Sequence, residues 1–406
     1  MNLGAVQQPI LPGSVIGILG GGQLARMTAL AARAMGYRIL VLDPDPHCAA
    51  APVADAVVAA PFDDPHAALQ LARQCSVVTY EIERIAPAVL HAVAAVAPLR
   101  PSASVLERVQ DRMRQKRFLE RHEFPVGPWR PVNSAPELQS ALAELGACRV
   151  KRSQGGYDGR SQMRLKSCAD AHAAFAQLGG TCVAEAELAL AAELSVLVAR
   201  SPQGETAVYP VAANWHDDGV LAYTLLPALI DPALARRASA LAVSLAEVLD
   251  LEGLLVVEMF VTQSGELLVN ELAPRPHNTF HAAGECCATS QFEQFVRAIC
   301  GLPLGSVELH GAAVLLNLLG REAGDAAADA AAALQIPGVS LHLYGKQPRP
   351  RRKIGHLVAR GGDASQALHR ADRAAQLLGL SPGVSDVKGC PIACPGLEEP
   401  SAPLLR

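Results

Sequence analysis

No run of apolar residues in this chain approaches the ~18 that a membrane-crossing helix needs, so a membrane span is not expected. A long basic tract is also missing, and the net charge is −4. Nucleic acid and anionic membranes are therefore not expected as bulk partners. Residues 1–13 contain neither a charged n-region nor a true apolar h-region, so no secretory signal is read there. The ten cysteines are scattered. Cys286-Cys287 is a vicinal pair and Cys390 and Cys394 make one close spacing, with no second pair to complete a zinc site. They read as reduced cysteines of a cytoplasmic protein. No cysteine or serine stands in a setting that marks a covalent nucleophile. What is abundant is apolar residue, 50% of 406, enough for large cores and two or three domains.

The first hundred residues alternate strand and helix. Strands are expected at 14–19, 37–42, 54–59 and 76–80, with helices at 23–35 and 65–74. That rhythm predicts a parallel α/β sheet. One polar helix is expected over 103–122, and 125–131 reads as the close of the first domain. A helix (137–145), strands flanking a glycine loop, a helix (169–178) and a strand (182–186) follow. Strands are then expected at 193–199 and 205–212, a helix at 234–249, and a hairpin at 254–261 and 266–272. Beyond 300 lie short strands (312–318, 340–344) and an Ala-rich helix or linker at 322–334. The division expected is 1–108, 109–300 with a lid subdomain at about 125–188, 301–388, and a disordered Pro-rich tail at 389–406.

Several segments carry chemistry. Lys151 and Arg152 precede a loop with Gly155, Gly156 and Gly159, and Asp158 and Arg160 end it. Glycine backbone N–H groups can close over an anion, so the loop reads either as a phosphate lid or as a basic hairpin turn. Gly20, Gly22 and Ala25, with Asp43 at the next strand end, match a dinucleotide fingerprint. A dinucleotide, another phosphorylated ligand, or tight packing alone all satisfy it. In the hairpin, pairing Val261 with Glu266 sets Glu258 opposite Val269 and puts Glu271 on the same face as Glu258. Two carboxylates among Leu, Val and Met call for a compensating charge, and Mg²⁺ on a nucleotide triphosphate supplies one. Alternatively one of them faces solvent or pairs with Arg275. Arg275 shares the parity of Glu271 and suits an anionic reacting group; a surface turn is the plain alternative. Glu81 and Glu83 end a strand where open α/β sheets bind ligands, and one of the two is expected to be merely solvated. Residues 348–356 are the densest basic cluster, either a phosphate clamp or a solvated run. The cluster lacks the interleaved aromatics of a nucleic-acid surface.

Taken in order, GILGGGQLARM (17–27), TYEIE (79–83), QDRMRQK (110–116), KRSQGGYDGR (151–160), NWHDDG (214–219), NELAPRPHN (270–278) and RRKIGH (351–356) resemble the ATP-grasp ligases. More narrowly they resemble the 5-(carboxyamino)imidazole ribonucleotide synthases of purine biosynthesis. The resemblance implies an ATP-grasp fold with a Rossmann-like N-terminal domain and a small C-terminal α+β domain. It implies ATP, bicarbonate and aminoimidazole ribonucleotide as substrates, Mg²⁺ as cofactor, and a homodimer.

Residue by residue, the resemblance makes Arg112 and Lys151 ATP-contacting cations and Gly156, Tyr157, Asp158, Gly159, Arg160, Ser161 and Gln162 the lid. Glu185, Ala186, Glu187 and Leu188 become the adenine hinge and Glu193 the ribose acid. His216 and Asn270 become further ATP-side contacts, and Glu258 and Glu271 the metal ligands. Gln23, Glu81, Tyr157, Asp158, Arg160, Arg275, His277, Asn278 and Lys353 become contacts to the ribonucleotide or the bicarbonate-derived group. Asp158, Arg160, Arg275 and Lys353 among them are the catalytic candidates. The implied reaction runs through carboxyphosphate. Competing functions are another ATP-grasp ligase, such as a formate-using glycinamide ribonucleotide transformylase, a nicotinamide dehydrogenase, and a catalytically inactive nucleotide-binding paralogue. Two departures stand out. The family pattern has glycine where Ser161 stands, and Ser-Gly-His-aromatic-Thr where Thr279-Phe280-His281-Ala282-Ala283 stand. Phe280 in place of glycine is expected to narrow the acceptor pocket.

Overall fold

The structure, a computed structural model, describes residues 8–155, 161–217, 219–320, 326–350 and 352–380. The N-terminal unit holds β1 (Val15–Leu19), α1 (Gln23–Ala34), β2 (Arg38–Asp43), β3 (Ala56–Ala59), α2 (Pro65–Ala72), β4 (Val77–Tyr80) and α3 (Pro87–Ala94). Its four strands are all parallel, in the order β3-β2-β1-β4. This is the sheet the alternation predicts, and its central strands are apolar on both faces because helices cover them. Helix boundaries follow local chemistry. Asp64 caps α2 by accepting from His66 and Ala67 N–H, with Pro65 at the first turn. Met35 closes α1 and Gly36 takes φ +92, a turn that glycine makes without strain.

The polar stretch expected as one helix is two, α4 (Ala103–Val109) and α5 (Arg112–Arg121). Asp111 is the reason: its carboxylate accepts from Arg114 N–H at 3.0 Å and so starts a new helix. Residues 125–131 do not close a domain. Val126 bridges to Val269, and β5 (Trp129–Val132) is an edge strand of the next sheet.

That second sheet, order β5-β8-β6-β7, is antiparallel and backed by α6 (Ala135–Leu145) and α7 (Ala171–Leu178). Its other strands are β6 (Cys148–Arg152), β7 (Gln162–Leu165) and β8 (Cys182–Ala186). The third sheet has nine strands. It contains β9 (Leu190–Arg200), β10 (Thr206–Val208), β11 (Ala212–Asp217), β12 (Val220–Leu226), and, after α8 (Pro232–Val248), β13 (Gly253–Thr262) and β14 (Leu267–Ala273). The expected single strand at 205–212 is replaced by β10 and β11, and β12 falls where no strand is expected.

After α9 (Ala283–Cys286) and α10 (Gln291–Cys300), the C-terminal unit adds β15 (Ala312–Leu319), α11 (Ala326–Ala333), β16 (Val339–Leu343), β17 (Lys353–Gly361) and α12 (Ala364–Leu377). Its strands extend the same sheet: β12 pairs with β15, β15 with β17 and β17 with β16. Helix α8 covers one face of β9 and β13, and α10 covers the other while also packing on α1. Charged side chains from the second and third sheets pair with those at the start of α5, and Arg275, just beyond β14, pairs with Glu83, just beyond β4.

Candidate active site

The floor is the β13–β14 hairpin. Thr262 N–H donates to Glu266 O at 3.0 Å and Gly265 takes φ +83, so Glu266 belongs to the turn and Val261 pairs with Leu267 rather than with Glu266. A bulge then falls between Glu258 and Met259, and Glu258 faces Glu271 directly instead of facing Val269. The expectation that the two carboxylates share a face stands; the register that led to it does not. The bulge has a second consequence. In a regular strand Asn270 and Glu271 would point to opposite faces. With Asn270 as the extra residue, its Nδ2 lies 3.4 Å from Glu258 Oε2 and its Oδ1 3.5 Å from Lys151 Nζ, while Glu271 Oε1 lies 3.5 Å from Arg112 Nη2. Both side chains serve one site.

Cations come from two other elements. Arg112 and Lys116 stand one turn apart on α5, and Lys151 lies on β6. Glu185 of β8 holds the two lysines, with Lys151 Nζ at 2.6 Å and Lys116 Nζ at 3.2 Å. Burial alone would raise the Glu185 carboxyl, but the lysines outweigh it and hold it down at about 2. Burial lowers Lys116, and Glu185 offsets part of that. Arg112 is raised by Glu271. Glu185 thus orders cations by its side chain, at the first position of the expected hinge 185–188. Lys116 was missed as a site residue. The four-residue spacing from Arg112 was the signal available.

Glu258 titrates above the usual carboxylate range because it is buried and faces Glu271. His277 Nε2 approaches it at 3.5 Å, but burial and then Arg275 hold that imidazole far below its ordinary range, so it arrives neutral. Two opposed carboxylates, one of them desolvated and only partly balanced by His216 and Lys151, fit a hard divalent cation that also takes substrate oxygens. Among the described residues no cluster of three or more His, Cys, Asp or Glu forms a self-sufficient metal cage. Glu193 of β9 lies 2.9 Å from His216 Nδ1 on β11. Burial opposes charge on His216, and Glu193 prevails and raises it.

The N-terminal wall corrects two expectations. Glu81 is not solvated and the glycine turn is not open for a phosphate. Glu81 accepts from the N–H groups of Gly22 (2.5 Å), Leu24 (3.1 Å) and Ala25 (3.0 Å), taking the place at the α1 N-terminus where a phosphate would sit. A Cβ at Gly22 would come within 2.4 Å of Glu81 Oε1, so glycine there makes room for the protein's own carboxylate. Asp43 takes the Gly21 N–H at 2.7 Å. The dinucleotide reading of this turn is overturned by these bonds. Glu83 is half-buried and paired: its Oε1 accepts from Arg275 Nε at 2.7 Å and Nη2 at 2.6 Å.

On the same side, Gln23 Oε1 accepts from Lys346 Nζ, so the C-terminal unit touches the glycine turn. Lys346 is a second missed residue, three positions beyond β16 and separate from the basic run. Lys353, at the start of β17, is near enough for its charge to depress His277 and His281. Arg349 is exposed, and Arg351 lies outside the described residues. Asn278 is buried, and neither of its amide atoms has a partner among the described residues.

Phe280 does not narrow the pocket. Its ring is fully buried in the core with Ala282 and Ala283 and meets Tyr209 edge-on at 6.0 Å. Gly156, Tyr157, Asp158, Gly159 and Arg160 lie outside the described residues. The stem beside them is described: Ser153 Oγ and Gln154 Nε2 donate to Asp111 at 2.8 and 2.9 Å, and Arg112 N–H donates to Ser153 O at 2.9 Å. Ser161, where the loop re-enters, takes φ +62. In the hinge, Ala186 and Glu187 N–H donate to Pro128 and Ala147 carbonyls, Glu187 pairs with Arg164 at 2.7 Å, and Leu188 packs by Gly127. Gln162 opens β7 opposite Lys151.

Comparison with known proteins places this geometry. Family models match three consecutive stretches: a ribonucleotide synthetase preATP-grasp domain over residues 14–110, an ATP-grasp domain over 117–292 and a phosphoribosylaminoimidazole carboxylase C-terminal domain over 313–370. The N5-carboxyaminoimidazole ribonucleotide synthase of Bacillus subtilis (strain 168) is 41% identical over 355 residues, covering 87% of this chain and 93% of the relative. A solved N5-carboxyaminoimidazole ribonucleotide synthetase in complex with ADP is 40% identical at a TM-score of 0.87, covering 92% and 99%. The Aspergillus clavatus enzyme, solved with ADP and 5-aminoimidazole ribonucleotide, is 30% identical at 0.83, covering 90% and 98%. With the opposed carboxylates, the flanking cations and the three-part architecture all in place, the chain belongs to the N5-carboxyaminoimidazole ribonucleotide synthase family of ATP-grasp ligases.

Proposed function

We propose that this protein carboxylates 5-aminoimidazole ribonucleotide on its exocyclic amine, using ATP and bicarbonate and releasing ADP and phosphate. The observation that carries the reading is Glu258 set face to face with Glu271 at a bulge, ringed by Arg112, Lys116 and Lys151. ATP lies between the second sheet and the hairpin, with the 185–188 segment at its base and Glu193 and His216 toward its ribose. Glu258 and Glu271 would hold Mg²⁺, which when bound neutralises charge on the phosphates.

Bicarbonate is a poor electrophile. Its oxygen attacks the γ-phosphorus, the bond to ADP breaks, and carboxyphosphate forms. Lys151 and Arg112 steady the transferred charge without rearranging, because Glu185 and Glu271 already hold them in place. The ribonucleotide amine then attacks the carboxyl carbon and phosphate leaves with its electron pair. The proton released by the amine goes to Asp158. Arg275, clamped by Glu83, and Lys353 hold anionic groups of the second substrate, with Gln23, His277 and Asn278 beside them. The glycine loop excludes water that would hydrolyse carboxyphosphate. The protein acts as a cytoplasmic homodimer in this reading, with the site built within one chain.

An ADP-release assay with each substrate omitted in turn tests the proposal. The expected outcome is release that requires bicarbonate and aminoimidazole ribonucleotide together, and a loss of about 10³ or more in Glu258→Gln. Release supported instead by glycinamide ribonucleotide and formate would transfer the protein to the transformylases. ATP binding without ribonucleotide-dependent release would mark an inactive paralogue.

A further inference from the structure

Helix α5 carries cations on two faces, and the site above uses one of them. Arg112 and Lys116 point to Glu271 and Glu185. Arg114, Arg117 and Arg121, at spacings of three and four, share another face and are exposed. With Arg108 of α4 they line a groove of 440 Å³ floored by Phe118, within the usual range for small-ligand sites. The Arg108 guanidinium lies over the buried Phe118 ring at 5.6 Å, which fixes one planar cation in place. The groove contains one carboxylate, Glu107, and it lies 2.9 Å from His91 Nε2. Among the described residues, Arg108, Arg117 and Arg121 form no ion pair. The concentration of positive charge is notable on a chain of net charge −4.

We propose that this groove binds a compact polyphosphate, the adjacent phosphates of a nucleoside diphosphate or triphosphate or of inorganic polyphosphate, and that its occupancy is felt at the active site through α5. Guanidinium forks bond phosphate oxygens in pairs, and arginines a helical turn apart, about 5 Å, bracket neighbouring phosphates. The transmission is mechanical. The helix has ten residues, its far face presents Arg112 and Lys116, and its cap Asp111 ties the glycine-loop stem. The transmission half rests on the function proposed above; binding does not.

The test titrates inorganic pyrophosphate and, separately, GDP into the full chain and into the double variant Arg117→Ala/Arg121→Ala. Calorimetry and amide exchange over residues 103–121 are the readouts. Any anion held at the ATP site appears equally in both proteins, so the difference isolates the groove. The expected result is binding at least about tenfold weaker in the variant, exchange protection over 103–121 greater in the parent than in the variant, and variant turnover within about twofold of the parent's without added anion. Tighter binding of GDP than of pyrophosphate assigns the ligand as a nucleotide, and equal binding assigns it as inorganic. Matching isotherms in the two proteins, or unchanged exchange over 103–121, overturn the site, including the case where only an acidic protein engages the groove. A shift of about fivefold or more in the KM for ATP, seen in the parent and absent from the variant, supports the coupling. Groove binding without that shift ends the coupling half, and groove binding in a protein inactive on aminoimidazole ribonucleotide separates a failure of the functional reading from a failure of this one.

Discussion

Ser161 and Glu185 show how single residues carry chemistry that their type alone does not announce. Ser161 holds φ +62, where a Cβ crowds the backbone. Glycine at this position would relieve that strain, which accounts for the glycine of the family pattern at this point. Ser161→Gly is expected to stabilise the β6–β7 hairpin by about 0.5–1 kcal/mol, read as slower amide exchange across those strands; Ser161→Ala should give no such gain. Glu185 is the opposite case, a buried anion between two buried ammoniums. Its folded pKa of about 2 lies below the unfolded value, so its contribution to stability is present above about pH 4.3 and is lost as pH falls toward 2. Glu185→Gln leaves Lys116 and Lys151 without their anion and should cost about 3–5 kcal/mol at pH 7. Urea unfolding at descending pH should show the gap between parent and variant closing through that window.

At the scale of elements, the break between α4 and α5 matters more than either helix. Asp111 caps α5 and also accepts from Ser153 and Gln154 at the foot of the glycine loop. One carboxylate therefore sets the start of the helix that presents Arg112 and Lys116 and the place where the loop leaves β6. Asp111→Ala should raise the KM for ATP about tenfold. Asp111→Asn, which still accepts from the Arg114 N–H, should recover most of that. Steady-state kinetics at saturating ribonucleotide and bicarbonate separate the two. The hairpin teaches the same lesson. Its existence and the shared face of its carboxylates were legible in alternating residues 254–261 and 266–272. Its bulge was not, because nothing in Asn270-Glu271 distinguishes an extra residue from a regular one until the strands pair.

Across the whole molecule, the nine-stranded sheet joins the central and C-terminal units. β12 pairs with β15 over Tyr223 to Leu226, so the C-terminal strands complete the sheet instead of packing beside it. A chain ending at Gly301 would leave β12 an exposed apolar edge. It should aggregate or unfold rather than retain ADP binding, as calorimetry and light scattering would report. The N-terminal unit packs on the central unit through apolar contacts such as α1 on α10, and polar links add to them: Arg275 with Glu83, Lys346 with Gln23, and Arg100 with Glu252 at 2.6 Å.

The ordered motifs from 17–27 to 351–356 were enough to determine the family and the parallel first sheet, and they contain most of the charged residues that gather around Glu258 and Glu271, because local spacing and residue type set helices, strands and loops. Two features were beyond them. The glycine turn has the residues of a phosphate cradle, and only the return of Glu81 to the α1 N-terminus, 59 positions from Gly22, removes it from that use. Phe280 has the bulk to block a pocket, and only packing against Tyr209 decides that it fills a core instead. Both outcomes depend on contacts between distant segments, and a hydrogen bond or a buried ring is assigned by what the fold brings within reach.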